Sequence, residues 1–355
     1  MKAIDSNQLL LSIIASILFM LGSCTAKDKN INTTYKAGFK EKKVILSNGV
    51  EINYAEGPNN GQEALFLIHG QMGAWQDYKK VLPQLSKNWH VYAVDCHGHG
   101  KSTHDQSRYY LDSIGNDLSR FISEIVKQKT VVSGHSSGGL ISAWLAGTGN
   151  PYIVGALLED PPVFSTEKEY FPRTFVYHDD YKVIHDFLNS NTNECWEAYY
   201  LRHCYWGKLY LPDKVGKIAD AAQKYHEKYP GKPIQIWFLP KSLNERLFGM
   251  FLYIHDYDLR FGDKFYDYTW HNKISHRILM NKIKVPTIFM HAKDAYAIDP
   301  ETKDSILMAA SSNEQARKAV SLIKNCELVE LVSGHDIHLE KPEIFIENIN
   351  KLLYR

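Results

Sequence analysis

The stretch Val131-Val132-Ser133-Gly134-His135-Ser136-Ser137-Gly138-Gly139 decides how this chain is read. A β-rich run leads into it, and residues 140–146 continue from it with the composition of a helix. A chain that turns from strand to helix within a few residues needs positions where backbones can approach closely. Gly134 and Gly138 supply them in the spacing G-x-S-x-G. Such a turn lifts its central serine into a cleft at the start of the helix. Ser136 is therefore the candidate nucleophile. The backbone N–H of Ser137, at the N-terminal end of that helix, is a candidate donor to an oxyanion. Ser137 itself lacks the flanking glycines that a nucleophile in this turn requires.

Outward from this turn, short apolar runs alternate with segments of helical period. Residues 44–47 and 50–55 flank Asn48-Gly49, a hairpin signal. Strands are expected at 64–68, 91–94, 130–133 and 153–158, with a helix at 79–85. Ile114, Leu118, Phe121, Ile122, Ile125 and Val126 give another helix one apolar face. This alternation predicts an α/β fold, a mostly parallel sheet covered by helices on both faces. The rhythm breaks after Pro161-Pro162 and resumes with strands at 285–290 and 328–332, a helix at 311–323 and a closing helix at 344–353. Residues 163–282, rich in aromatics, read as a mainly helical cap inserted into one domain spanning 44–355. Within it Trp196, Tyr199, Tyr200, Tyr205 and Trp206 serve either as a pocket lining or as the cap's own core.

The N-terminus reads separately. Lys2 precedes an interrupted apolar run over 9–22 that ends Leu21-Gly22-Ser23-Cys24. The run is short of the roughly 20 residues that span a bilayer, and its small-residue end fits a cleaved export signal. The residues around Cys24 resemble a bacterial lipoprotein cleavage box. That resemblance implies a signal peptide over 1–23, lipidation (palmitate included) of Cys24, and a polar tether over 24–43. It places the protein in the cell envelope, anchored to a membrane. Cys96, Cys195, Cys204 and Cys326 remain. Cys195 and Cys204 are the most plausible disulfide pair, and small buried thiols are the simpler reading. No Cys/His spacing reads as a metal site.

Across 355 residues, 41 basic side chains face 40 acidic ones, for a net charge of +1. This balance gives no electrostatic case for binding nucleic acid. The sequence names no protein partner.

Four segments occur in the order found in the α/β-hydrolase superfamily, and the chain resembles it over 44–160 and 284–355. They are His69-Gly70-Gln71, the loop Asp95-Cys96-His97-Gly98-His99-Gly100-Lys101-Ser102, the Ser136 turn, and Gly334-His335. The resemblance implies that His335 is the general base, with His338 packing beside it. It gives His97 and His99 structural places, and His69 a part in the entrance or oxyanion loop. It implies Gln71 as the second oxyanion donor, and Asp294, just past the 285–290 strand, as the acid. Glu159 and Asp160 are the alternative acid, because some relatives carry it after the preceding strand. The implied reaction is hydrolysis of a small acyl substrate, an ester or lactone, through an acyl-enzyme. It needs neither cofactor nor metal. Carbon–carbon, peptide or thioester hydrolysis, acyl transfer, cofactor-free peroxidase chemistry and a non-catalytic binding role remain open. A serine at position 136 argues against chemistry that starts from an aspartate nucleophile.

Overall fold

The computed structural model describes residues 29–240, 244, 253–299 and 301–354. Cys24 and the apolar run before it lie outside the described residues. Among the described residues no helix is long and apolar enough to cross a membrane.

The strands are β1 (Lys40–Ile45), β2 (Glu51–Glu56), β3 (Ala64–Ile68), β4 (His90–Val94), β5 (Thr130–His135), β6 (Ile153–Glu159), β7 (Thr287–Ala292), β8 (Tyr296–Ile298), β9 (Ser305–Leu307) and β10 (Cys326–Leu331). Eight of them form one sheet in the order β1-β2-β4-β3-β5-β6-β7-β10. β1 and β2 run antiparallel to their neighbours, and every pairing from β4 to β10 is parallel. The Asn48-Gly49 turn joins β1 to β2, with Gly49 at φ +82° and its N–H on the Leu46 carbonyl at 2.9 Å. β3, β4 and β5 are buried along their whole length. Continuous apolar runs, rather than alternating ones, are what a strand covered on both faces requires.

Two apolar clusters lie on the two faces. One gathers Trp75, Tyr78, Leu82, Trp89 and Phe345 against Leu65 and Leu67. The other holds Phe66, Phe121, Leu140 and Phe289 and runs on into the cap. The helix Leu111–Phe121 buries Ile114, Leu118 and Phe121, as its spacing predicts.

Part of the expected tether is structured. Lys29–Lys36 is a helix, Thr34 is buried with its Oγ1 donating to the Lys79 carbonyl at 3.1 Å, and Phe39 enters the first cluster. One buried phenylalanine and one buried hydrogen bond are enough to dock a segment too polar to announce itself. Between β6 and β7 the described residues form short helices, among them Lys182–Leu188, Trp196–His203, Val215–Lys228 and Leu259–Tyr266. The five aromatics singled out there are all buried. Tyr200 donates to Asp179 at 2.5 Å, and the Trp206 indole donates to Tyr200 at 3.2 Å. They are the cap's core. Cys195 and Cys204 are free, buried thiols, not a disulfide.

Candidate active site

Parallel strands open their clefts at their carboxyl ends. Here those ends bring together the tips of β3, β5, β6, β7 and the loop after β10. Ser136 follows β5 and sits at φ 54°, ψ −121°, a strained conformation for a residue with a Cβ. Its N–H is held by the Glu159 carbonyl at 2.9 Å. Glycine is needed both in this turn and in the one packed on it. A Cβ on Gly138 would lie 2.3 Å from the Ile68 oxygen, and one on Gly70 would lie 2.8 Å from His135 Nδ1 and 3.1 Å from Ser136 Cβ. The His69-Gly70 turn therefore lies directly against the serine turn, with Gln71 following it. Ser137 begins the helix Ser137–Ala146, where the first N–H groups have no intrahelical acceptor.

His335 reaches this place from the loop after β10. Gly334 N–H and Ser333 Oγ donate to Glu340 Oε2 at 2.7 and 3.3 Å, which pins that loop to the next short helix. The His335 ring lies 4.4 Å from the ring of His135, the residue before Ser136, and His135 Nε2 donates to the His335 carbonyl at 3.2 Å. His335 Nδ1 donates to Asp160 Oδ2 at 2.7 Å. The Asp160 side chain is 1% exposed and that of His335 34%, so the acid is buried and the imidazole opens outward. Burial opposes charge on His335, but the hydrogen bond and negative charge of Asp160 outweigh it and raise its pKa. Burial likewise works against ionised Asp160, and hydrogen bonds from His291 and His335 hold its pKa below the usual value.

The geometry brings Asp160, and not Asp294, to His335. Asp294 lies beyond the end of β7, but its carboxylate faces the helix Asn313–Leu322 and not His335. It accepts from Asn313 Nδ2 at 2.5 Å and Asn313 N–H at 2.9 Å. Glu159, the other alternative, faces the opposite side of the sheet tip from Asp160 and binds His338, which donates from Nδ1 at 2.8 Å and N–H at 2.7 Å. His338 packs against Tyr78 and Phe345. Glu159 is the last residue of β6, and Asp160 just beyond it sits at φ 40°, so the two side chains leave the strand end toward different partners.

His69, His97 and His99 serve the scaffold. Cys96 N–H donates to His69 Nε2 at 3.0 Å, so His69 Nδ1–H donates to the Gly70 carbonyl. Met72 N–H donates to His99 Nε2 at 3.2 Å, and His99 Nδ1 donates to the His97 carbonyl. Burial pushes the pKa of both down, keeping them neutral. His97 pairs with Asp117 at 2.9 Å.

Sequence reasoning missed what holds Gln71. Its amide is clamped by two cap tyrosines: Tyr181 Oη donates to Oε1 at 2.9 Å, and Nε2 donates to Tyr257 Oη at 2.7 Å. Tyr257→Phe leaves the Gln71 amide one acceptor short, at a cost of about 1–3 kcal/mol. We expect that variant to melt earlier and to turn over ester about tenfold more slowly through a looser oxyanion loop, measured by thermal denaturation and steady-state kinetics.

One group among the described residues has ligand atoms close enough for a metal ion. These are Cys195, Glu197 and His226 in the cap, with all atoms within 4.8 Å. No cysteine–histidine spacing reveals it, because His226 comes from a different helix. Burial pushes the Cys195 thiol up to about 11.

Comparison with known proteins agrees with this architecture. The family model described as alpha/beta hydrolase fold matches residues 63–342. The chain belongs to the alpha/beta hydrolase fold family. Among α/β-hydrolase relatives, mouse epoxide hydrolase 4 is 28% identical over 117 residues, 32% of each chain. The chain thus matches about a third of that relative's length. A membrane phospholipase A described as a bacterial virulence factor superposes with TM-score 0.61 at 21% identity, covering 98% of this chain and 96% of that one. The enol-lactonase from Burkholderia xenovorans LB400 gives TM-score 0.56 at 16% identity, over 88% and 100% of the two chains. At these identities the structural likeness speaks for the fold.

Proposed function

We propose that the protein is a serine hydrolase of carboxylic esters or lactones. In this reading Ser136 is the nucleophile, His335 the general base, Asp160 the acid, and the N–H groups of Ser137 and Gln71 the oxyanion hole. The observation that carries it is the 2.7 Å bond from His335 Nδ1 to buried Asp160, beside a serine in a left-handed turn. The bond sets the imidazole tautomer. With Nδ1 protonated, the unprotonated Nε2 is the nitrogen free to take the proton from Ser136 as it attacks the acyl carbonyl. The carbonyl oxygen gains charge, and the two backbone N–H groups stabilise it. His335 then protonates the leaving alcohol. Water, deprotonated by the same imidazole, attacks the acyl-enzyme, and the carboxylic acid departs while Ser136 regains its proton.

The structural neighbours named as a phospholipase and an enol-lactonase support an acyl substrate. The relative named as an epoxide hydrolase does not redirect the reading, because position 136 holds a serine rather than the carboxylate that attack on an epoxide by an aspartate would need. Turnover of p-nitrophenyl esters and a lactone panel by purified protein tests the class. A raised His335 pKa also fixes a sign. The base works only when neutral, so kcat/KM rises with pH, and its acid limb falls above the ordinary histidine value of 6.5. A pH–rate profile checks this; a limb below 6.5 contradicts it.

We also propose export and membrane anchoring through lipidated Cys24. Its support is the Leu21-Gly22-Ser23-Cys24 pattern after a short apolar run. Cys24→Ser is expected to move the protein out of the membrane fraction, and mass analysis of the wild type to find a modified N-terminal Cys24. An uncleaved N-terminus with a free cysteine would reject the anchor.

A further inference from the structure

Asp294 and the residues around it form a continuous hydrogen-bonded chain that ends on the acid. Asp160 Oδ1 accepts from His291 Nδ1 at 3.2 Å and from Ala292 N–H at 3.1 Å, which leaves Oδ2 to His335. A carboxylate only accepts, so His291 Nδ1 carries a proton. On the other edge of the ring, His291 Nε2 lies 3.0 Å from Asn313 Oδ1. The Asn313 amide cannot be reversed. Its Nδ2 donates to Asp294 Oδ1 at 2.5 Å and its Oδ1 accepts from Asp294 N–H at 3.2 Å. Turning it over would set oxygen against carboxylate and nitrogen against N–H. Its oxygen therefore faces His291, and Nε2 must donate as well. Both ring nitrogens donate, and only the imidazolium can do that.

We propose that His291 is held as an imidazolium on the far side of Asp160, a positioning residue that shares the acid's charge with His335 and sets the pH at which the base works. The inference rests on the reading of Asp160 and His335 as acid and base. Asp294, in the place where the family resemblance expects the acid, becomes the clamp that keeps the second proton on His291. The ring is fully buried. Burial opposes its charge, but the hydrogen bond and charge of Asp160 outweigh it and raise its pKa. Other charges face this assembly. Glu330 stands opposite His291 in the β10 register and is drawn to Arg317 at 2.9 Å. Lys293 follows along the chain. On the His335 side lie Glu159 with His338, and His135 with Asp336 at 3.5 Å. A fixed cation behind Asp160 draws on the carboxylate's charge and repels a proton on His335. Both effects lower the proton affinity of the base.

The experiment has two readouts. In wild type labelled with 15N-histidine, long-range 1H–15N spectra at pH 8 should show both nitrogens of one histidine protonated, with that signal lost in His291→Gln. The same signal should persist in Ser136→Ala, which keeps this measurement independent of turnover. In pH–rate profiles with p-nitrophenyl acetate, His291→Gln should move the acid limb up by about one pH unit. Asp294→Asn should move it the same way by less. An unprotonated His291 nitrogen at pH 8 in the wild type, or an unmoved limb in folded His291→Gln, overturns the proposal. A doubly protonated His291 in a protein without ester turnover would uphold the charge assignment and count against the hydrolase reading instead.

Discussion

Ser136→Ala is expected to lower ester turnover by roughly 10⁵- to 10⁶-fold, because nucleophile and base act as a unit. The residual rate comes from substrate binding and the oxyanion donors, neither of which the change removes. The fold should survive. Alanine keeps the Cβ, and the backbone bond from residue 136 to the Glu159 carbonyl does not involve the hydroxyl. The left-handed φ of 54° is equally strained with either side chain. Stability should therefore change by less than about 1 kcal/mol. Steady-state rates and thermal melts on the same preparations check both halves. Loss of activity with loss of fold would not support a chemical role, whereas an inactive protein with an unchanged melt would.

Asp160→Asn should cost roughly 10⁴-fold in kcat, the scale seen when a triad acid becomes an amide. Asparagine has nearly the same shape, but it cannot balance the charge that forms on His335, and its NH₂ competes for the imidazole Nδ1. It also leaves the buried imidazole of His291 facing a neutral partner. Asp294→Asn is the matched control. Its carboxylate touches Asn313 and not His335, so turnover at the pH optimum should stay within about tenfold of wild type. A near-normal Asp160→Asn beside an inactive Asp294→Asn would restore the assignment made from sequence.

The comparison of these two residues shows where sequence reasoning reached its limit. The strand–turn–helix at Ser136 was legible because backbone geometry demands glycine at fixed spacings, and the contacts of Gly134 and Gly138 bear out that demand. Buried strands were legible where they run apolar throughout, as β3 does. The acid was not. Both Asp160 and Asp294 follow parallel strands in adjacent positions of the sheet, and local sequence carries no record of which carboxylate His335, 175 residues beyond Asp160, will meet. The decision lies in long-range packing: Gly334 tied to Glu340, and Asn313 taking up Asp294. The Gln71 clamp was hidden for the same reason, since Tyr181 and Tyr257 are 110 and 186 residues away from it. One reading of the N-terminal region also parted from the structure. The polar segment before β1 gave no helical signal, yet Lys29–Lys36 docks through Thr34.

The central claim is a covalent route through one serine. Incubating purified protein with an alkyl fluorophosphonate and reading intact mass followed by peptide mapping tests it most directly, because such a reagent captures an activated serine whatever the natural ester is. The account predicts one adduct per chain, on the peptide carrying Ser136, formed quickly in wild type and slowly in Asp160→Asn. Ester turnover that continues in fully treated protein, or an adduct formed on another residue while Ser136 stays free, would contradict it.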